Sequence, residues 1–349
     1  MKCKQAVCDN QMIIEYKSST NYLQRAEARA GGMKLVNEII MLLIGFALFG
    51  IGACGVFKWY VLNYPISYFS IEQLLYVWSV FYGIYIVSSA NTPIKMLSSR
   101  RFYINSIGLA GAICFLALII VLWVKLLLWR IENPAPFNLS NVFAAIPGNN
   151  LSSLSRESPE FIKKFFRIVY STGFLLPFYI PIFASLIKLR YEKVWQYLLS
   201  GHLLQIFLVT PLYLLFQVQE IWYVNGIPDG LGRMFFSEVE RNFMVSWCFP
   251  SMQTSIATAS LLVALQEPYK IFKWSWCTYC VLVVIATLWL AVHWVVDVVL
   301  GILIGYVAVY LANRIIGSLM FQKYILGIDG TSEVEADRRY NVFDGVFDK

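Results

Sequence analysis

The chain has 349 residues, 58% of them hydrophobic and 14% charged, with a net charge of +7 and a mean hydropathy of +0.62. A soluble domain has no interior for so much apolar side chain, and repeated uncharged stretches of about 20 residues match the ~30 Å hydrocarbon core of a bilayer. An all-α polytopic membrane protein follows. The positive charge does not argue for a nucleic-acid partner: no basic cluster carries interleaved aromatics, and in this class Lys and Arg collect in cytoplasmic loops and against anionic lipid.

Residues 1–34 carry six basic side chains and read as a cytoplasmic arm, with no cleavable signal peptide. Eight apolar segments follow, at about 35–57, 72–90, 105–129, 166–188, 195–217, 249–267, 274–292 and 295–319. The domain reading is an arm (1–34), two additional transmembrane helices (35–104), a six-helix core (105–320) and a polar cytoplasmic tail (321–349). With the N-terminus inside, 19 Lys and Arg fall on the cytoplasmic side and 8 on the other, so both termini are expected in the cytoplasm. The loops of about 131–165 and 218–248, and the tight connection at His293, then lie on the opposite face. The sequons at Asn138 and Asn150 fall in the first of these loops, which agrees with that side.

Cys277 and Cys280 form a C-x-x-C on one apolar segment with no second ligand pair nearby, so they are read as structural. No metal and no cofactor is expected. His202 lies inside the fifth segment and reads as an interhelical hydrogen bonder. Lys125 reads as a snorkelling side chain near a segment end.

The chemistry gathers in two stretches, Cys248 to Ser255 and Ala291 to Asp297, separated by a hairpin long enough to cross the bilayer and return. His293 and Asp297 are four apart, so on a helix they share a face, where a carboxylate can accept from one imidazole nitrogen and leave the other as nucleophile or base. A buried His-Asp contact with no catalytic role is the plainer alternative. Pro250-Ser251 reads as a helix start, with Thr254, Ser255 and Thr258 following. Free backbone N–H groups and small hydroxyls there suit a phosphate, although many helices start this way without a ligand. Gly301 and Gly305 continue the second stretch as a G-x-x-x-G of close helix packing.

Joined in this order, Phe249-Pro250-Ser251-Met252-x-Thr254-Ser255, a spanning hairpin and His293-x-x-x-Asp297 resemble the type 2 phosphatidic acid phosphatase superfamily. Within it the motifs are closest to the branch of inositol phosphorylceramide synthases and related membrane phosphotransferases. The resemblance covers about the last six segments. It implies a six-helix phosphatase-type core in which His293 attacks phosphorus to form a phosphohistidine, Asp297 orients it, and Ser251 and Thr254 cradle the phosphate. The family histidine that protonates the departing alkoxide falls on position 253, which is Gln253 here.

A glutamine amide can donate a hydrogen bond but cannot deliver a proton near neutral pH, so general-acid help of ~10²- to 10⁴-fold would be missing. Three readings follow: an inactivated His-to-Gln form, a relative that keeps lipid binding without catalysis, or an enzyme whose leaving group needs little protonation, such as a pyrophosphate. The family's other basic residues are also absent, since Ala286 and Thr287 stand at its Ser and Arg positions. Arg233 and Arg241 are the phosphate clamps on offer, or else solvated loop charges. The expected function is hydrolysis of a lipid or polyprenyl phosphate, or transfer of a phosphoryl-linked headgroup, on the non-cytoplasmic face. A non-catalytic lipid-phosphate-binding or partner-binding protein is the alternative, and a transporter carries least weight because the polar residues cluster at one face.

Overall fold

The computed structural model describes residues 100–326 except 134, 175, 188–189 and 232–237, together with a few positions between 43 and 83. The arm, most of the first two expected spans, Arg233 and the tail beyond 326 lie outside the described residues.

The helices, in chain order, are α1 (Arg100–Glu132), α2 (Ser140–Ala145), α3 (Ser152–Arg156), α4 (Glu160–Thr172), α5 (Leu176–Ile187) and α6 (Tyr191–Leu198). A π-helical turn, Leu199–Leu203, joins α6 to α7 (Leu204–Leu215). Then come α8 (Ile221–Val224), α9 (Glu238–Val245), α10 (Met252–Ala264), α11 (Lys270–Trp289), α12 (Val295–Ile316) and α13 (Leu319–Tyr324). Two-residue strands β1 (Phe137–Asn138) and β2 (Phe216–Gln217) pair in parallel.

Among the described residues three helices are long and apolar enough to cross a membrane: Tyr191–Leu215 through the π turn, α11 and α12, with α4 and α5 as a fourth if that bent pair is one span. At 1.5 Å per residue the 22 residues of α12 extend about 33 Å, a match to the hydrocarbon core. The outer faces of these helices leave Trp274, Val281, Val299 and Leu303 exposed, a surface that suits lipid and not water.

The chain differs from the expected segments in two places. The fourth segment is divided, with α4 and α5 meeting at 56°. The sixth is shorter than expected. Pro250 and Ser251 hold back its start, Glu267 and Pro268 follow its end, and the 13 residues of α10 extend about 20 Å.

The interior is built around α10, which packs on α12 and α11. Cβ atoms at Gly301 and Gly305 would meet Ser251 O at 2.7 Å and Ser255 O at 2.6 Å, so the two small residues let α12 lie against the backbone of α10. At the opposite end of the hairpin, Glu267 is buried and pairs with Arg190 at 2.5 Å. His202 sits in the π turn with its ring 3.7 Å from that of Phe178, and its Nδ1 has no hydrogen-bond partner among the described residues. The ring is tilted by 33° against that of Phe178.

A cap formed by residues 135–156, 216–231 and 238–249 covers one end of the bundle. Its small core joins Phe143, Ile221, Trp222, Val245 and Cys248 to Ala291 and Trp294. The β1–β2 pair, extended by Leu139 N–H donating to Gln217 O at 2.8 Å, ties its halves together. Both sequon asparagines are exposed in it, and their side chains accept from Ser140 N and Ser152 N.

Candidate active site

The turn between α11 and α12 delivers the histidine. Ala291 has a left-handed φ of 56°, a conformation that costs a non-glycine residue about 1 kcal/mol or more. Its carbonyl accepts from Trp222 N at 3.1 Å, and His293 N donates to Thr287 O at 3.1 Å. The main chain then turns into α12, whose N-terminus is capped from a distance: Asn149 O accepts from Val295 N at 3.1 Å and Asn149 Oδ1 from Val296 N at 2.9 Å. Asn149 Nδ2 donates to Phe143 O at 2.9 Å, fixing the capping residue in the cap core. Two of the N–H groups that a helix start leaves unpaired are thereby satisfied next to His293.

His293 is 3% exposed, and its Nδ1 lies 3.0 Å from Cys248 O. A carbonyl oxygen only accepts, so Nδ1 carries the hydrogen in this pair, and in the neutral ring the lone pair is on Nε2. Asp297, fully buried, stands 3.5 Å from Nδ1 through Oδ2, too far to be the main partner of the ring. That oxygen instead accepts from Trp294 N at 2.8 Å and from the Cys248 thiol at 2.8 Å. The carboxylate acts on the ring by proximity of charge and by holding the Cys248 and Trp294 frame. Burial, then the neighbouring Asp297 charge, pushes the Cys248 thiol well above its usual range, so it stays protonated as the donor.

The first stretch meets the second as the sequence anticipates. Ser251 N donates to Asp297 O at 3.2 Å, joining the start of α10 directly to the first turn of α12. A cis Phe249-Pro250 bond precedes Ser251, and Tyr213 OH donates to Pro250 O at 3.1 Å. Ser251 is the N-cap of α10: its Oγ accepts from Thr254 N at 3.3 Å and donates to Thr254 Oγ1 at 2.9 Å. Both hydroxyls are buried and pair with one another, so a phosphate arriving here would be met by two hydroxyls and the start of α10, where a helix dipole favours negative charge.

Gln253 is the residue at the reactive nitrogen, with its amide oxygen placed 3.3 Å from His293 Nε2. An amide flip exchanges oxygen and nitrogen, and with Nδ1 as donor the NH₂ is the end that pairs with the Nε2 lone pair, the oxygen pairing when the ring is protonated. His293, Asp297, Gln253, Ser251 and Thr254 are thus brought together. Arg241 lies on α9, partly exposed, and none of the hydrogen bonds described above involves it. Cys248, Asn149 and Trp294 were not anticipated as site residues. Cys248 opens the first stretch, but as a residue type it signals only a small hydrophobe, and Asn149 acts across 147 positions.

Among the described residues, Cys248, His293 and Asp297 also bring one ligand atom each within 4.8 Å, a donor set of a kind that zinc accepts. The hydrogen bonds above pair the thiol with the carboxylate and the imidazole with a carbonyl, while Asp297 Oδ1 is buried with no hydrogen-bond partner among the described residues.

No curated protein and no solved structure matches the chain. The model described as the PAP2 superfamily matches residues 153–320, a stretch that runs from α3 into α13 and contains both motifs.

Proposed function

We propose that this protein is an integral membrane phosphatase or headgroup phosphotransferase acting on a lipid or polyprenyl phosphate through His293, on the non-cytoplasmic face. The observation that carries the reading is the pairing of His293 Nδ1 with Cys248 O, which leaves the Nε2 lone pair pointing at the first turn of α10, beside Ser251 and Thr254. In the first step Nε2 attacks phosphorus, the N–P bond forms, and the bond from phosphorus to the leaving oxygen breaks. In the second, water or a lipid alcohol attacks phosphorus, the O–P bond forms as the N–P bond breaks, and the proton of the nucleophile passes to the freed Nε2 and from there to solvent, restoring the neutral imidazole. Asp297 stabilises the positive ring, and the start of α10 holds the phosphoryl oxygens.

A departing alkoxide needs a proton, and Gln253 has none to give. The proposed substrate is therefore one whose leaving group is stable as an anion, a pyrophosphate being the plain example. A second reading, a lipid-phosphate-binding protein without turnover, is favoured by the same contact, because an amide paired with Nε2 quiets the nucleophile.

The test is trapping by an alkaline detergent quench with ³²P-labelled polyprenyl pyrophosphate and lipid monophosphates. Base-stable, acid-labile label on the chain, lost in His293→Ala, supports turnover. Tight binding of the same ligands without label supports the second reading. Neither label nor binding sinks both.

A further inference from the structure

A cavity of about 290 Å³ lies in the cap, lined by Arg130 from the end of α1, Gln217 and Gln219 from the β2 strand and its continuation, and Asn242, Ser246 and Trp247 from the end of α9 and beyond. Its walls are rich in hydrogen-bonding side chains and, among the described residues, hold no carboxylate. Arg130 is 5% exposed, and its guanidinium spends one nitrogen on Asn133 O at 2.9 Å. Arg130 Nε and Trp247 Nε1 are buried and have no hydrogen-bond partner among the described residues. Glu132, two residues along α1, is exposed, and Glu220, next to Gln219, accepts from the Trp222 indole.

Both of these buried, unpaired nitrogens are donors, and both belong to residues that line the cavity. An unpaired buried donor is costly, more so when it is charged, and a ligand that brings acceptor oxygens to these residues would offset that cost. A single buried guanidinium without a carboxylate calls for an anion. Ser246 Oγ, whose hydrogen goes to Asn242 O at 2.6 Å, is left to accept, and Asn242, whose Oδ1 accepts from Tyr223 OH at 3.2 Å, keeps its NH₂ to donate, a mixture that suits a ligand carrying hydroxyl groups beside its charge.

The backbone links the cavity to the histidine. Trp247 is followed by Cys248, whose carbonyl holds His293 Nδ1. Gln219 O accepts from the Trp294 indole at 2.8 Å, and Cys248 N donates to Val218 O at 3.4 Å. One short run of backbone therefore forms both a wall of the cavity and the support of the nucleophile.

We propose that the Arg130 cavity is a second anion-binding subsite that takes the phosphate ester of a small polyol headgroup beside the group reacting at His293. The role in turnover rests on the phosphotransfer reading; the binding itself does not. The shared ligand chemistry is a phosphate joined to a hydroxylated carbon chain, whether free in water or at the end of a lipid.

The experiment measures affinity by calorimetry on the full chain in detergent, with sn-glycerol 3-phosphate as the soluble probe and phosphatidylglycerol in mixed micelles as the lipid probe. Unaltered protein and His293→Ala should bind one of the probes equally, and Arg130→Gln should bind it about tenfold or more weakly. Ser246→Leu and Asn242→Leu, which place apolar bulk in the cavity and keep Arg130, should weaken the same binding, and they decide the matter should Arg130→Gln fail to fold. The probe that binds identifies the source as free metabolite or lipid headgroup. Binding unchanged in the cavity variants, binding lost in His293→Ala alone, or binding of neither probe would each overturn the proposal. Because His293→Ala abolishes trapping but not this binding, failure of the cavity and failure of phosphotransfer remain distinct results.

Discussion

Gln253 stands 3.3 Å from His293 Nε2, at the place where a phosphohistidine would form. Replacing it by histidine puts a titratable group at that distance on the same helix turn. Gln253→His should raise turnover of lipid phosphate monoesters by ~10²- to 10⁴-fold and leave pyrophosphate turnover nearly unchanged, since only the former needs the proton. Steady-state phosphate release from both substrate types checks it, with Gln253→His/His293→Ala as the inactive control. Equal effects on the two substrate types would remove general acid catalysis from the account.

Cys248 supports a prediction in pH. Its thiol is held protonated by burial and by Asp297, so its folded pKa is raised above the unfolded value of about 8.5. A raised folded pKa means that the unfolded chain loses the proton first. The stabilisation is fully present below about pH 8.5 and falls as pH rises above it, by at most ~1.4 kcal/mol per pH unit. Cys248→Ser keeps a donor for Asp297 and does not ionise in this range. The thermal midpoint of the unaltered chain should drop more steeply than that of Cys248→Ser between pH 8.5 and 10. Parallel curves would show that this thiol is not the group titrating.

The two motifs, their meeting at one end of a hairpin and the close packing at Gly301 and Gly305 could be read from the sequence, because each depends on neighbours within a few positions. What could not be read depends on residues far apart. Asp297 looked like the partner of His293 because they are four apart, yet the carbonyl of Cys248 is the nearer partner, and it comes from the other motif. Main-chain oxygens leave no mark in a sequence. Nothing local sets Arg130 apart from the chain's other basic residues; its burial and its unpaired nitrogen come from contacts distant in sequence. Span counting overreached at the sixth segment, since hydropathy continues through 249–267 while proline and Ser251 confine the helix to Met252–Ala264.

Gly301 is a test of how tightly the phosphate cradle is held. A methyl group there would stand 2.7 Å from Ser251 O and 3.0 Å from Thr254 Cβ, against backbone that cannot swing aside. Gly301→Ala should therefore destabilise the protein by ~1–3 kcal/mol and impair phosphate binding more than the stability loss alone explains, because the displaced residues are the cradle. Gly111→Ala on α1, where a Cβ meets nothing within 4 Å, is the control. Thermal midpoints and phosphate affinity for the pair provide the check, and a tolerated Gly301→Ala would mean that α10 and α12 can separate at no cost.

Asn149 is a positioning residue whose effect should appear in turnover before it appears in folding. Its side-chain oxygen and its carbonyl take the first two N–H groups of α12, while its amide is anchored to Phe143 O. Asn149→Ala keeps the carbonyl contact and loses the two side-chain bonds, a change worth ~1–2 kcal/mol in stability. The loss falls on the turn that carries His293, and a small displacement of a nucleophile is costly out of proportion to its energy. The Gln253→His background gives the most turnover to measure, and there Asn149→Ala should lower kcat about tenfold or more with little change in KM. Asn149→Asp, which keeps the acceptor for Val296 N, should recover part of that loss. A variant that lost stability and kept kcat would make Asn149 a support of the cap alone, with His293 held in place by Cys248 and the Ala291 turn.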